Sequence, residues 1–173
     1  AAALRARLTV LVMRHVIPIS GKDSLATALL QTARKPSLDY EYMFNDVETE
    51  LPETSEWLRE VEEKQGWTIT RIGKDLRSVI DYKDMLPSPQ IRFCTRQSKI
   101  EPMEKWFDQQ DEAVTIYYGL RADEDRQGYV PVDGREVKYP LQDIGVDRDG
   151  VYRIVDAQGL RPPSFWWESM YQR

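Results

Sequence analysis

Five consecutive residues, Ser20-Gly21-Lys22-Asp23-Ser24, stand between an apolar run, Val16-Ile17-Pro18-Ile19, and the helix-forming stretch Leu25-Ala26-Thr27-Ala28-Leu29-Leu30. A strand, a glycine-containing turn and a helix in that order direct backbone N–H groups and a helix N-terminus at one spot, where an anionic phosphate can sit. Lys22 adds a point charge, and Ser20 and Ser24 add hydroxyl donors. Asp23 runs against this pattern, because a carboxylate facing phosphates calls for an intervening cation, of which Mg²⁺ is the usual one. The segment is not a Walker A loop, which needs G-x-x-x-x-G-K-[ST].

Three further polar clusters have residue types suited to the same work. Asn45-Asp46-Val47-Glu48-Thr49 follows the second apolar strand; Asp46 and Glu48 are either site residues or solvated loop acids. Arg92, Arg96 and Lys99 precede a helix and offer cations for phosphate or sulfate oxygens, or a surface patch balanced by nearby acids. Gly119, Arg121 and Arg126 follow a strand, interleaved with Asp123, Glu124 and Asp125, and mutual surface pairing is the alternative reading there. Cys94 lies between arginines, which favour thiolate chemistry, yet a half-buried spectator thiol is the better reading. His15 is given no role.

The elements that must position these clusters alternate in type. Val16–Ile19 reads as a strand and Ser24–Ala33 as a helix, with Asp23 or Ser24 as its cap. Leu38–Phe44 reads as the second strand. Pro52 and Thr54 open a helix that buries Trp57, Leu58 and Val61 and ends near Gly66. Trp67–Ile72 and Val114–Leu120 supply the third and fourth strands. Gly73–Asp111 reads as a Pro-containing loop followed by a helix over Ile100–Gln110, and another helix is expected at Asp149–Ala157. Leu8–Met13 is ambiguous between strand and helix. Strands separated by helices predict an α/β fold, a doubly wound and mostly parallel sheet with helices on both faces. In such a sheet ligands bind beyond the carboxyl ends of the strands, where the strand order reverses, and all four clusters fall there.

At 173 residues, with 41% hydrophobic and 31% charged residues, the chain is expected to form a single domain over residues 1–173, long enough to bury a real core. No window reaches the roughly 18 apolar residues of a membrane span. A single cysteine, Cys94, excludes an internal disulfide framework and leads to an expected cytoplasmic location. The net charge of −5 argues against broad nucleic-acid binding while leaving room for a local basic patch. The aromatic end, Phe165-Trp166-Trp167-Glu168-Ser169-Met170-Tyr171, calls for a covering surface, from a continuation of the chain, a partner protein or a second copy.

Taken in order, I-S-G-K-D-S at Ile19–Ser24, N-D-V-E-T-E-L-P-E-T at Asn45–Thr54, R-F-C-T-R-Q-S-K-I-E-P at Arg92–Pro102, G-L-R-A-D-E at Gly119–Glu124 with Arg126, and Y-P-L-Q-D-I at Tyr139–Ile144 resemble one family. This is the phosphoadenosine phosphosulfate (PAPS) reductase-like branch of the N-type ATP pyrophosphatases, the PP-loop superfamily, whose fold is adenine nucleotide alpha hydrolase-like. The resemblance covers about Val16 to Pro163. It implies a bound adenine nucleotide, ATP or PAPS. Ser20, Gly21, Lys22 and Ser24 would grip phosphate, Asp23 would hold Mg²⁺ if the ligand is ATP, and Lys22, Asp23 and Arg121 would act on the reacting groups. Asp46, Glu48, Arg92, Arg96, Lys99, Gly119 and Arg126 would complete the binding site.

Two departures separate the sequence from the family pattern. Its loop has one glycine fewer than S-G-G-x-D-S. It also lacks the C-terminal nucleophilic cysteine of the reductases, and one thiol cannot ligate a four-cysteine iron–sulfur cluster. The expected activity is therefore ATP pyrophosphatase or adenylyl transfer serving sulfur transfer, with nucleic-acid sulfur modification and phage or mobile-element roles among the contexts of such relatives. A thiol-dependent PAPS or adenylyl-sulfate reductase is the second expectation. A non-enzymatic nucleotide-binding subunit of a larger assembly is the third.

Overall fold

The computed structural model describes residues 13–131 and 135–164. Five strands, β1 (Met13–Pro18), β2 (Tyr40–Asn45), β3 (Ile69–Ile72), β4 (Ala113–Tyr117) and β5 (Glu136–Lys138), form one sheet in the order β3-β2-β1-β4-β5. Every neighbouring pair is parallel, with His15 opposite Tyr40 on one side and opposite Thr115 on the other. The expected doubly wound sheet is present, and its order reverses at β1.

The two faces of the sheet follow from side-chain alternation along the strands. Ile17, Ile19, Tyr42, Phe44 and Tyr117 point to one face, where they meet Leu25, Ala28 and Leu29 of α1 (Lys22–Arg34), Leu58 and Val61 of α2 (Pro52–Gln65), and Val151 and Val155 of α7 (Arg148–Asp156). Val16, Met43, Val114 and Ile116 point the other way and pack on Met103 and Phe107 of α5 (Glu101–Asp108). The three central strands, β2, β1 and β4, are therefore apolar on both faces, as a covered parallel sheet requires, whereas β3 and β5 at the edges carry exposed polar side chains.

Helix α2 begins with proline in its first turn and stops at Gly66, which takes the left-handed conformation at φ 67° that glycine adopts without strain. Its apolar stripe, Trp57, Leu58 and Val61, is buried as expected. Sequence periodicity missed three short elements. Helix α3 (Leu76–Lys83) buries only Val79 and owes its start to Asp75, whose carboxylate accepts the Arg77 and Ser78 N–H groups. Strand β5 and helix α6 (Pro140–Asp143) are too short to show a period. The helical run into α5 starts earlier than expected, with a single turn α4 (Phe93–Thr95) and a π-helical turn over Arg96–Ile100. His15 packs between Tyr40 and Tyr117, its Nδ1 2.9 Å from the Tyr117 hydroxyl. The ambiguous start and the aromatic end, residues 1–12 and 165–173, lie outside the described residues.

Candidate functional site

A cleft of about 730 Å³ opens at the carboxyl ends of β1, β2 and β4, on the side where the strand order reverses. Its polar wall is the segment Ser20–Ser24, joined by Lys99 and Arg126; its apolar wall includes Pro18, Ile100, Met103, Tyr118 and Tyr129. Asn45 closes the β2 side, and Gly119 the β4 side.

The loop holds its own shape. Ser24 Oγ accepts the N–H groups of Ser20 (2.8 Å) and Gly21 (3.0 Å) and donates to the Gly21 carbonyl at 2.9 Å. Ser24 thus ties the turn from inside the first helical turn, in the way a polar side chain at that position reaches back to its cap. Gly21, not Asp23 or Ser24, occupies the N-cap. Packed directly on this turn is Gly119: a Cβ there would lie 2.5 Å from Ser24 N and 2.6 Å from the Asp23 carbonyl carbon. Only glycine lets the end of β4 approach the loop this closely.

Beside the loop, Asp23 and Arg121 form the tightest charge cluster of the site. Arg121 Nη1 donates to Asp23 Oδ2 at 3.0 Å, and its Nε donates to Asp123 at 2.9 Å. The Arg121 backbone N–H donates to Glu124. Burial pushes the Asp23 carboxyl above the usual carboxylate range, with Lys22 and Arg121 opposing it. Burial also works against the charge on Arg121, but its hydrogen bond to Asp123 and the surrounding carboxylates outweigh it and raise its pKa.

Asp23 was expected to hold Mg²⁺. Its Oδ2 is occupied by Arg121, whereas Oδ1 is buried, makes no hydrogen bond and lies 3.6 Å from Lys22 Nζ. Among the described residues no group of three or more His, Cys, Asp or Glu side chains comes together around a common point. A divalent cation on Oδ1 would sit between an ammonium and a guanidinium, so this donor set does not fit a metal held by the protein itself.

The remaining expected residues divide. Ser20, Gly21, Lys22, Ser24, Lys99, Gly119 and Arg126 line the cleft together with Asp23. Lys99 is held by Glu50 at 3.3 Å and Arg126 by Glu124 at 3.3 Å, ion pairs that an incoming anion would exchange. Arg121 stands behind the loop, not on the cleft wall. Arg92 and Arg96 are exposed and outside the cleft, Arg96 paired with Glu101 at 3.2 Å. Asp46 and Glu48 also lie outside it. The Asp46 carboxylate accepts the Glu48 N–H at 2.9 Å while Glu48 adopts φ 57°, so these acids build the turn after β2 by the usual Asx device. Cys94 is half-buried on α4 and is not among the cleft-lining residues.

Tyr118, Gln127, Gly128 and Tyr129 are cleft residues that the sequence did not reveal, while Asn45 belongs to the second polar cluster. Tyr118 and Tyr129 pack with ring centroids 5.1 Å apart on the cleft wall. The Tyr129 hydroxyl and the Asn45 side-chain oxygen are buried without a hydrogen-bond partner. Gly128 lies against the Tyr139 ring, whose hydroxyl donates to the Tyr129 carbonyl at 2.7 Å. The segment Gln127-Gly128-Tyr129 carries no regular period, and only its adjacency to Arg126 pointed toward the site.

A parallel α/β sheet with a phosphate-type loop at its switch point defines a nucleotide-binding fold of the PP-loop kind. The chain matches the family model of the phosphoadenosine phosphosulfate reductase domain over residues 14–130, and it belongs to that family. Among solved structures, the phosphoadenylyl-sulfate (PAPS) reductase from Candida auris, in its phosphate complex, is similar with a TM-score of 0.61 at 14% identity. That likeness covers 89% of this chain and 76% of the other, and it speaks for the fold. No curated protein matches the sequence. No helix among the described residues is long and apolar enough to cross a membrane.

Proposed function

We propose that the cleft binds an adenine nucleotide by its phosphates and that the chain transfers an adenylyl group. An acceptor oxygen attacks the α-phosphorus, the bond between that phosphorus and the bridging oxygen to the β-phosphate breaks, and pyrophosphate leaves with the bonding pair. The observation that carries this reading is the convergence of the Ser20–Ser24 turn, Lys22, Lys99 and Arg126 on one cleft at the reversal of strand order. Fixed cations at that place stabilise negative charge as it builds on the leaving group. Magnesium belongs to the substrate here, as the magnesium–nucleotide complex. The apolar wall of Pro18, Ile100, Met103 and Tyr118 suits a base, and the Asn45 oxygen and Tyr129 hydroxyl offer an acceptor and a donor to its polar edge or to the ribose.

The family match favours a second reading, reductive cleavage of PAPS, in which a thiolate attacks the sulfate sulfur and the nucleotide departs with the S–O bonding pair. Cys94 is not among the cleft-lining residues, so the thiolate of this second reading is not Cys94. Thermal melts with magnesium and ATP, GTP or PAPS test the reading. At a ligand concentration 100 times the dissociation constant, linkage adds about 2.7 kcal/mol, which for a chain of this size raises the melting temperature by roughly 5–10 °C. ATP is expected to give this shift and to release pyrophosphate when an acceptor is supplied. A flat melt with every adenine nucleotide overturns the proposal. A shift without turnover points to a binding subunit.

A further inference from the structure

The Lys22 ammonium has a second neighbour besides Asp23. Its Nζ lies 5.7 Å from the centroid of the Tyr152 ring, within the distance at which an aromatic face attracts a cation. Tyr152 is on α7, more than a hundred residues along the chain from the loop. The helix is started by Asp147, whose carboxylate accepts the Gly150 N–H at 2.8 Å, and it is fixed to the sheet by the fully buried Val151 and Val155. With those two valines in the core, the next position along, Tyr152, is carried to the N-terminal end of α1. Lys22 lines the cleft and Tyr152 does not.

We infer that Tyr152 is a positioning residue that holds the Lys22 ammonium at the cleft wall for phosphate. A lysine side chain is a strongly hydrated charge on a flexible four-carbon stem, and with the Asp23 carboxylate as its sole attractor it would either collapse onto Oδ1 or swing into water. The ring supplies a second attraction that satisfies no hydrogen-bonding capacity of the ammonium. Its three N–H donors therefore stay available to an incoming anion. The Lys22 side chain is 16% exposed and lines the cleft.

This inference rests on the reading that Lys22 binds phosphate, and a double-mutant cycle separates the two. Calorimetric titration with pyrophosphate and with magnesium–ATP is run on the parent, Tyr152→Phe, Tyr152→Leu, Lys22→Ala and Lys22→Ala/Tyr152→Leu, with circular dichroism to show that each variant is folded. Tyr152→Leu is expected to weaken binding roughly three- to thirtyfold, Tyr152→Phe to stay within about twofold because it keeps the ring, and Tyr152→Leu to add no loss once Lys22 is gone. Should the leucine variant not fold, Tyr152→Gln reads the same loss. Equal losses in Phe and Leu, an unchanged Leu variant, or a full additional loss in the Lys22→Ala background would overturn the positioning role. Lys22→Ala binding like the parent would remove the phosphate role of Lys22 itself, and this inference with it.

Discussion

Gly119→Ala is expected to cost about 3 kcal/mol of stability and to abolish nucleotide retention. An alanine Cβ at this position falls 2.5 Å from Ser24 N and 2.7 Å from Asp23 O, both backbone atoms of a helical first turn that cannot rotate away. Overpacking of this kind commonly costs 1–3 kcal/mol, and backbone-on-backbone contact belongs at the upper end. The displacement acts on the turn that Ser24 ties together, so binding is lost along with stability. Gly66→Ala makes the contrast: that glycine has a left-handed φ of 67° with nothing within 4 Å, and its replacement is expected to cost about 1–2 kcal/mol of strain while leaving nucleotide affinity as in the parent. Urea unfolding and calorimetric titration of both variants check the pair. Equal affinity in the two would show that contact between β4 and the loop does not shape the site.

Arg121→Ala should destabilise the protein by about 2 kcal/mol at neutral pH, because the half-buried Asp23 carboxylate loses its charged hydrogen-bond donor and keeps only Lys22 Nζ, at 3.6 Å, of the two cations beside it. The pH dependence identifies the cause. Burial already raises the Asp23 pKa in the folded protein, and Arg121 is one of the charges that oppose the rise; removing it lifts the folded value further. A carboxyl with a raised folded pKa takes up protons more readily when folded than when unfolded. Its folding penalty is absent below the ordinary carboxylate pKa and grows as pH rises through the raised folded value. The variant therefore regains stability as pH falls toward 4, and Arg121→Ala/Asp23→Asn recovers most of the loss at pH 7 with a flatter profile. Chemical denaturation across pH 4–8 measures both. A double variant as unstable as the single one would show that Arg121 acts through packing and not through Asp23.

The architecture was legible where the pattern was long. The stripe of Trp57, Leu58 and Val61, the apolar runs of β1, β2 and β4, and the glycine after α2 all carry their structural meaning in residue type and spacing. The loop at Ser20–Ser24 was legible because a strand, a small-residue turn and a helix leave few other geometries. Direction was harder to read than position. Arg121 and Arg126 are five residues apart, yet one turns behind the loop to Asp23 and the other faces the cleft. Arg92 and Arg96 sit in a charged motif, but the helical turns α4 and Arg96–Ile100 carry them outward and bring Lys99 in. Tyr152 could not have been found, since its place beside Lys22 depends on how α7 packs on α1 and not on any neighbour in sequence.

The pairing of β1 with β4 has a consequence for how the protein comes into being. His15 and Thr115 lie side by side in the sheet but are one hundred positions apart along the chain, and Asn45, Lys99 and Tyr129 reach the cleft from still other stretches. Contacts of such long range close late, because the entropy of the intervening chain must be overcome before the contact returns anything. On a ribosome, residues 13–72 can form β1 to β3 and bury the face against α1 and α2 while the partner edge of β1 remains open. That edge presents unpaired backbone groups until β4 emerges. The chain is thus exposed to mispairing at β1 until β4 is made, and the same step that covers that edge is the one that creates the cleft.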